Sequence, residues 1–163
     1  MLVKIMPEIL QKVPKASLLV AGWGTEASAV IDMSMRSITR RKVKIIGPVT
    51  ENEKSNLLSK SWVFVNPSIG EGWGISVIEA NLHGTPVVAF DVAGLSESVK
   101  HKETGFLVKN EKDLIDKITL LLKDQRLRTK YGKNALVWAK KFNWDDAAVQ
   151  SSRLIEKVHE KRK

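Results

Sequence analysis

Apolar positions along this chain follow two spacings. Residues 2–13 place Leu2, Val3, Ile5, Met6, Ile9, Leu10 and Val13 close to a helical period. Five short, nearly continuous apolar runs follow: SLLVAG (17–22), VKIIG (43–47), WVFVNP (62–67), TPVVAF (85–90) and GFLV (105–108). They are mostly β-branched, and Gly or Pro bounds most of them, which predicts strands buried on both faces. Helical patterns are predicted between them, over 27–40, 50–61, 75–84 and near 95–100. Thr50 followed by Glu53 predicts a capping box at the start of one helix, and Gly84 closes another. From about residue 111 the chain reads as helical in three pieces, broken near Asp124–Gln125 and Phe142–Asn143. The polar residues from Glu156 onward are expected to fray.

Strands alternating with helices predict an α/β fold, a Rossmann-like, doubly wound parallel sheet. Residues 1–163 read as one domain, with about 144–163 as a terminal helix and tail. The glycine- and proline-rich breaks at Gly22–Gly24, Gly47–Pro48, Pro67–Gly74 and Ala93–Gly94 each follow a strand. They should converge on the carboxyl edge of the sheet, where such folds bind ligands.

Composition narrows the chemistry. There is no cysteine, which excludes disulfides, thiolate metal sites and thiol nucleophiles. His83, His101 and His159 lie far apart, so no metal is expected. No apolar run approaches the roughly 18 residues that cross a bilayer, and no signal peptide is recognisable. A soluble, cytoplasmic chain is therefore expected. The net charge of +9 points to an anionic partner: nucleotide phosphates, an acidic membrane surface or nucleic acid. Nucleic acid is disfavoured, because no recognition motif or interleaved surface aromatics accompany the charge. The cluster Arg36, Arg40, Arg41, Lys42 and Lys44 and the end Lys161-Arg162-Lys163 read as solvated faces.

The segment NPSIGEGWGISVIEA joins a strand to a helix through Gly70, Gly72 and Gly74. Glycines let backbone N–H groups approach a ligand, and the helix that follows offers its positive end, an arrangement suited to a diphosphate. Glu71 lies in the loop and Glu79 one turn into the helix, leaning back towards its N-terminus. Two carboxylates flanking a phosphate cradle suit a ligand with two hydroxyl-rich ends, the shape of a sugar nucleotide. The same residues admit another reading. Ser76 and Glu79 have capping-box spacing, with Glu71 then a solvated loop residue. The residues by themselves leave both open.

The run PSIGEGWGISVIEANLHGTPVVAFDVAGLSESV resembles the donor-site signature of retaining GT-B glycosyltransferases of family four. The resemblance rests on two glutamates in an E-G-aromatic-G loop and a glutamate-alanine helix, on Gly84-Thr85-Pro86-Val87-Val88, and on Gly94-Leu95-Ser96-Glu97. LLVAGWG (18–24), VKIIGPVTENEKSNLLSKSWVFVNPS (43–68), ETGFLV (103–108) and LLKDQRLRTKYGKNALVWAKKFNWDDAA extend it over nearly the whole chain. It implies that Glu79 binds the nucleotide's ribose hydroxyls and that Glu71 binds the transferred sugar and helps to orient its anomeric carbon. It implies that backbone N–H groups around Gly72, Trp73, Gly74 and Ile75 hold the diphosphate. Gly22 and Gly24 would line the cleft, and Gly47 and Val49 would border the base. Trp73 would pack and fix the loop.

The resemblance implies transfer from a nucleoside-diphosphate sugar with retained configuration and without a metal. It covers only the C-terminal, donor-binding half of a GT-B fold. The acceptor domain, and a central strand followed by an arginine and a lysine, are not matched; a preceding region, a partner protein or a rearranged domain would have to supply them. Weak binding and no useful turnover are expected of this chain alone. A non-catalytic nucleotide-sugar-binding subunit is the alternative. Peripheral membrane contact is a further expectation, since many such enzymes glycosylate lipid-linked acceptors.

Overall fold

The computed structural model describes residues 1–22, 24 and 41–160. The helix predicted over 27–40, with Arg36 and Arg40, lies outside the described residues, as do 161–163. The described elements run α1 (Leu2–Lys12), β1 (Leu18–Ala21), β2 (Val43–Gly47), α2 (Glu51–Lys60), β3 (Phe64–Asn66) and α3 (Ile75–Leu82). They continue as β4 (Val87–Phe90), α4 (Leu95–Ser98), β5 (Gly105–Val108), α5 (Glu111–Lys123), α6 (Gln125–Ala139) and α7 (Trp144–Glu160). The predicted breaks before α6 and α7 fall where expected.

Every strand pair is parallel. Among the described residues the strands form two ladders, β1-β2 and β3-β4-β5. Apolar runs reveal strands but not their partners, and among the described residues no ladder joins β1 or β2 to β3.

Strand β4 shows why the parallel reading works. Val88 and Phe90 face a core shared with Val3, Ile5, Met6 and Ile9 of α1 and with Leu114, Ile115 and Ile118 of α5. Val87 and Ala89 face the opposite core, with Leu58 of α2, Val77 and Ala80 of α3, and Leu95 and Val99. Helices thus cover both faces of the strand, and every one of its residues is buried. An exposed ion pair, Lys12 Nζ to Asp116 Oδ1 at 2.9 Å, ties α1 to α5.

Residues 156–160 continue α7. Asn143 caps its start by accepting from the Asp146 amide, Asp145 and Asp146 lie at its positive end, and Lys157 and His159 at its negative end. None of its residues is buried.

Candidate functional site

The breaks identified in the sequence lie at carboxyl ends of the strands. Gly22 follows β1 with φ +115° and donates its N–H to the Gly47 carbonyl at the end of β2, at 2.7 Å. Gly47 is itself left-handed, with φ +68°, and Val49 beyond it is half-buried. Gly24 is exposed, with open space where a side chain would stand.

The loop from β3 to α3 carries Glu71, Gly72, Trp73 and Gly74. Asn66, buried at the end of β3, turns the chain outward by accepting from the Ser68 amide at 3.0 Å. Gly94, after β4, presses on the loop: a Cβ there would lie 2.5 Å from the Glu71 carbonyl oxygen and 2.6 Å from that of Gly72. The Trp73 ring meets Phe142 edge-on at 4.8 Å, and Phe142 meets Trp138 at 4.9 Å. Trp73 therefore packs the loop against Phe142, just beyond the end of α6. Glu71 is half-buried, Gly72 is exposed, and nothing lies within 4 Å of where a Gly72 side chain would be.

Helix α3 begins at Ile75 behind Gly74, whose φ is +85°. This corrects the alternative in which Ser76 caps the helix: the left-handed Gly74 admits the chain to the helix before Ser76 can serve as its cap. The starts of α2, α5 and α6 are capped by Thr50, Asn110 and Asp124 side chains, whereas no side chain caps α3. No acidic residue stands in its first turn either. Its amino end, with Ile75 more than half exposed, is left to attract a negative charge.

The Glu79 carboxylate does not turn back to Ser76. Its Oε1 accepts from Lys54 Nζ of α2 at 2.8 Å, and both side chains are about one-third exposed. Hydrogen bonds to Glu79 first and Glu51 second hold the Lys54 ammonium above the ordinary lysine range. The sequence reading missed Lys54. Its 25-residue separation from Glu79 leaves no local signal, and only the packing of α2 on α3 pairs them.

The glycine loop, the start of α3, and Glu79 with Lys54 thus form one neighbourhood. Gly22 and Gly47 form a second, on the other ladder; among the described residues no hydrogen bond joins the two. Lys100 and Lys102 lie within the β4–β5 connection, after α4. Lys100 Nζ lies 4.4 Å from the Trp138 ring centre, a cation–π position. A concavity of about 520 Å3 lies elsewhere, lined by Gln125, Arg126, Thr129, Lys130, Lys133 and Asn134. All six belong to α6, so no second element converges on it. Among the described residues, no group of three or more His, Asp or Glu could hold a metal ion. No described helix is long and apolar enough to cross a membrane.

Parallel strands with a glycine loop leading to an uncapped helix define a Rossmann-like α/β protein. Residues 1–138 match the family described as Glycosyl transferases group 1, and the chain belongs to that family. A glycosyltransferase of Methanocaldococcus jannaschii is 33% identical over 153 residues, 92% of this chain and 39% of its own. The D-inositol 3-phosphate glycosyltransferase of Corynebacterium efficiens is 28% identical over 165 residues, 96% of this chain and 39% of its own. The chain thus spans about two-fifths of these relatives' length. Among solved structures, the sucrose-phosphate synthase of Thermosynechococcus elongatus superposes with a TM-score of 0.80 at 26% identity, over 96% of this chain and 42% of that one. A Staphylococcus aureus TarM mutant, solved with UDP among its ligands, superposes with a TM-score of 0.84 at 24% identity, over 91% of this chain and 30% of that one. These are GT-B glycosyltransferases, and the fold expected from the resemblance is the one found.

Proposed function

We propose that this chain binds the nucleoside-diphosphate sugar of a glycosyl transfer and serves as the donor half of the enzyme. The observation that carries the reading is the uncapped, Gly74-led start of α3, with Glu71 before it and Glu79 one turn inside. The amides of Gly72, Trp73, Gly74 and Ile75 take the diphosphate, with the helix's positive end towards it. Glu79 accepts from the ribose hydroxyls. Glu71 accepts from hydroxyls of the transferred sugar and sets the attitude of its anomeric carbon. Gly22 and Gly24 line the cleft, and Gly47 and Val49 border the base. UDP bound in the TarM structure supports this choice of ligand.

The bond between the anomeric carbon and the diphosphate oxygen breaks as the acceptor oxygen bonds to the same face of that carbon. The acceptor's proton passes to the departing phosphate oxygen. Stabilising the charge on that leaving group is the main catalytic demand, and backbone amides meet it here without a metal. An acceptor-binding region, from a longer protein or a partner, completes the site; the two-fifths span of the relatives favours this division of labour. The setting is cytoplasmic, with peripheral contact to an anionic membrane where the acceptor is lipid-linked.

Calorimetric titration with uridine, guanosine and adenosine diphosphates and their sugar forms tests the reading. One of these should bind, and Glu79→Ala should weaken it about tenfold or more, the scale of a lost hydrogen bond to a charged group. If none binds at millimolar concentration, the donor-site reading falls. If one binds and Glu79→Ala leaves its affinity intact, the ribose assignment falls.

A further inference from the structure

Glu79 is a long side chain on a partly exposed helix face, and a carboxylate free to rotate would lose entropy on meeting a diol. In this fold it is not free. Lys54 Nζ holds Oε1 at 2.8 Å, and among the described residues Oε2 has no hydrogen-bond partner. Lys54 reaches across from α2, where the Thr50–Glu53 capping box fixes the helix start one turn earlier. Its other partner, Glu51, is 86% exposed, so that contact contributes little. The pair with Glu79, each side chain 31% exposed, is the better ordered of the two.

We infer that Lys54 is a positioning residue for the donor's ribose: it holds Glu79 by Oε1 so that Oε2 is presented to the diol. The inference rests on the donor-site reading of Glu79. In this role Lys54 acts through the carboxylate it orients. Because an ammonium near a diphosphate also attracts it without regard to the ribose, the telling quantity is discrimination between nucleotides that differ only in the diol.

The second helix stays docked without this pair. Thr85 Oγ1 donates to the Leu58 carbonyl at 2.7 Å, and Ser55 Oγ lies 3.2 Å from His83 Nε2, so α2 remains tied to the α3–β4 segment. Lys54→Met should therefore leave the fold intact, with Lys54→Gln to be read in the same way should the methionine variant melt early.

The test is titration of the full chain and its variants with uridine diphosphate and with its 2′,3′-dideoxy form. The parent should prefer the diol about tenfold. Lys54→Met should reduce that ratio to less than about threefold. A ratio that stays at the parent's value in Lys54→Met overturns the inference, whether or not both affinities drop together, because equal weakening marks a purely electrostatic or structural role. A parent that binds neither nucleotide refutes the donor-site reading itself. A parent that binds both equally refutes the ribose role of Glu79, and the positioning role goes with it.

Discussion

At Gly94 the backbone holds φ +81°, and a methyl group added there would meet the Glu71 and Gly72 carbonyl oxygens at 2.5 and 2.6 Å. At Gly72 the same methyl group meets nothing within 4 Å. The two glycines answer to different demands, one to the fold and the other to whatever approaches the loop. Gly94→Ala should cost about 1–3 kcal/mol in denaturant unfolding, through strain at a positive φ and displacement of the loop. Gly72→Ala should leave stability within about 0.5 kcal/mol while weakening nucleotide binding in the titration above. Equal loss of stability in both variants would show that Gly72 serves the fold as well. At this scale the sequence was informative about types and spacing, since Glu71, Glu79 and the glycines all sit at a strand-to-helix joint as read. It was silent on Lys54, because an ion pair between two helices is created by packing alone.

Helix starts were legible where a side chain makes the cap. Thr50 Oγ1 accepts from the Glu53 amide at 3.3 Å, and the Thr50 amide donates to Glu53 Oε2 at 2.8 Å. Thr50→Ala should therefore lower stability by about 1 kcal/mol, measured by thermal or denaturant unfolding. The hydrogen bond from the Thr50 amide, then that from its hydroxyl, hold the Glu53 carboxyl below its ordinary range. A folded-state value below the unfolded one means that its stabilisation is present above the unfolded value and is lost as pH falls through the folded one. The deficit of Glu53→Gln should thus be constant above about pH 5 and shrink below about pH 4. A deficit that persists undiminished at pH 2 would assign it to packing instead. The start of α3 was ambiguous by contrast. Ser76 and Glu79 have capping-box spacing, yet Gly74 begins the helix and Lys54 holds the carboxylate. Spacing can propose a cap, but backbone handedness and a competing cation decided against it.

Across the whole molecule, α7 stands apart from both cores. It buries no residue, while Trp144, Leu154, Ile155 and Val158 are 81%, 63%, 70% and 54% exposed. Ending the chain at Asn143 should accordingly leave stability within about 0.5 kcal/mol by denaturant unfolding and reduce self-association in sedimentation. A large loss of stability would mean that α7 packs on the fold in solution. The sequence by itself determined the order and kind of the described elements and the burial of β4 on both faces. It also placed the glycine breaks at carboxyl ends of strands, because these follow from period, chain punctuation and the short reach of backbone sterics. Only the tertiary structure decided that the described parallel strands form two ladders, that Gly94 abuts the loop bearing Glu71, and that Trp73 rests on Phe142. It alone also decided that Lys54, not Ser76, is the partner of Glu79. Those outcomes depend on contacts between segments far apart along the chain, whose energies no local pattern records.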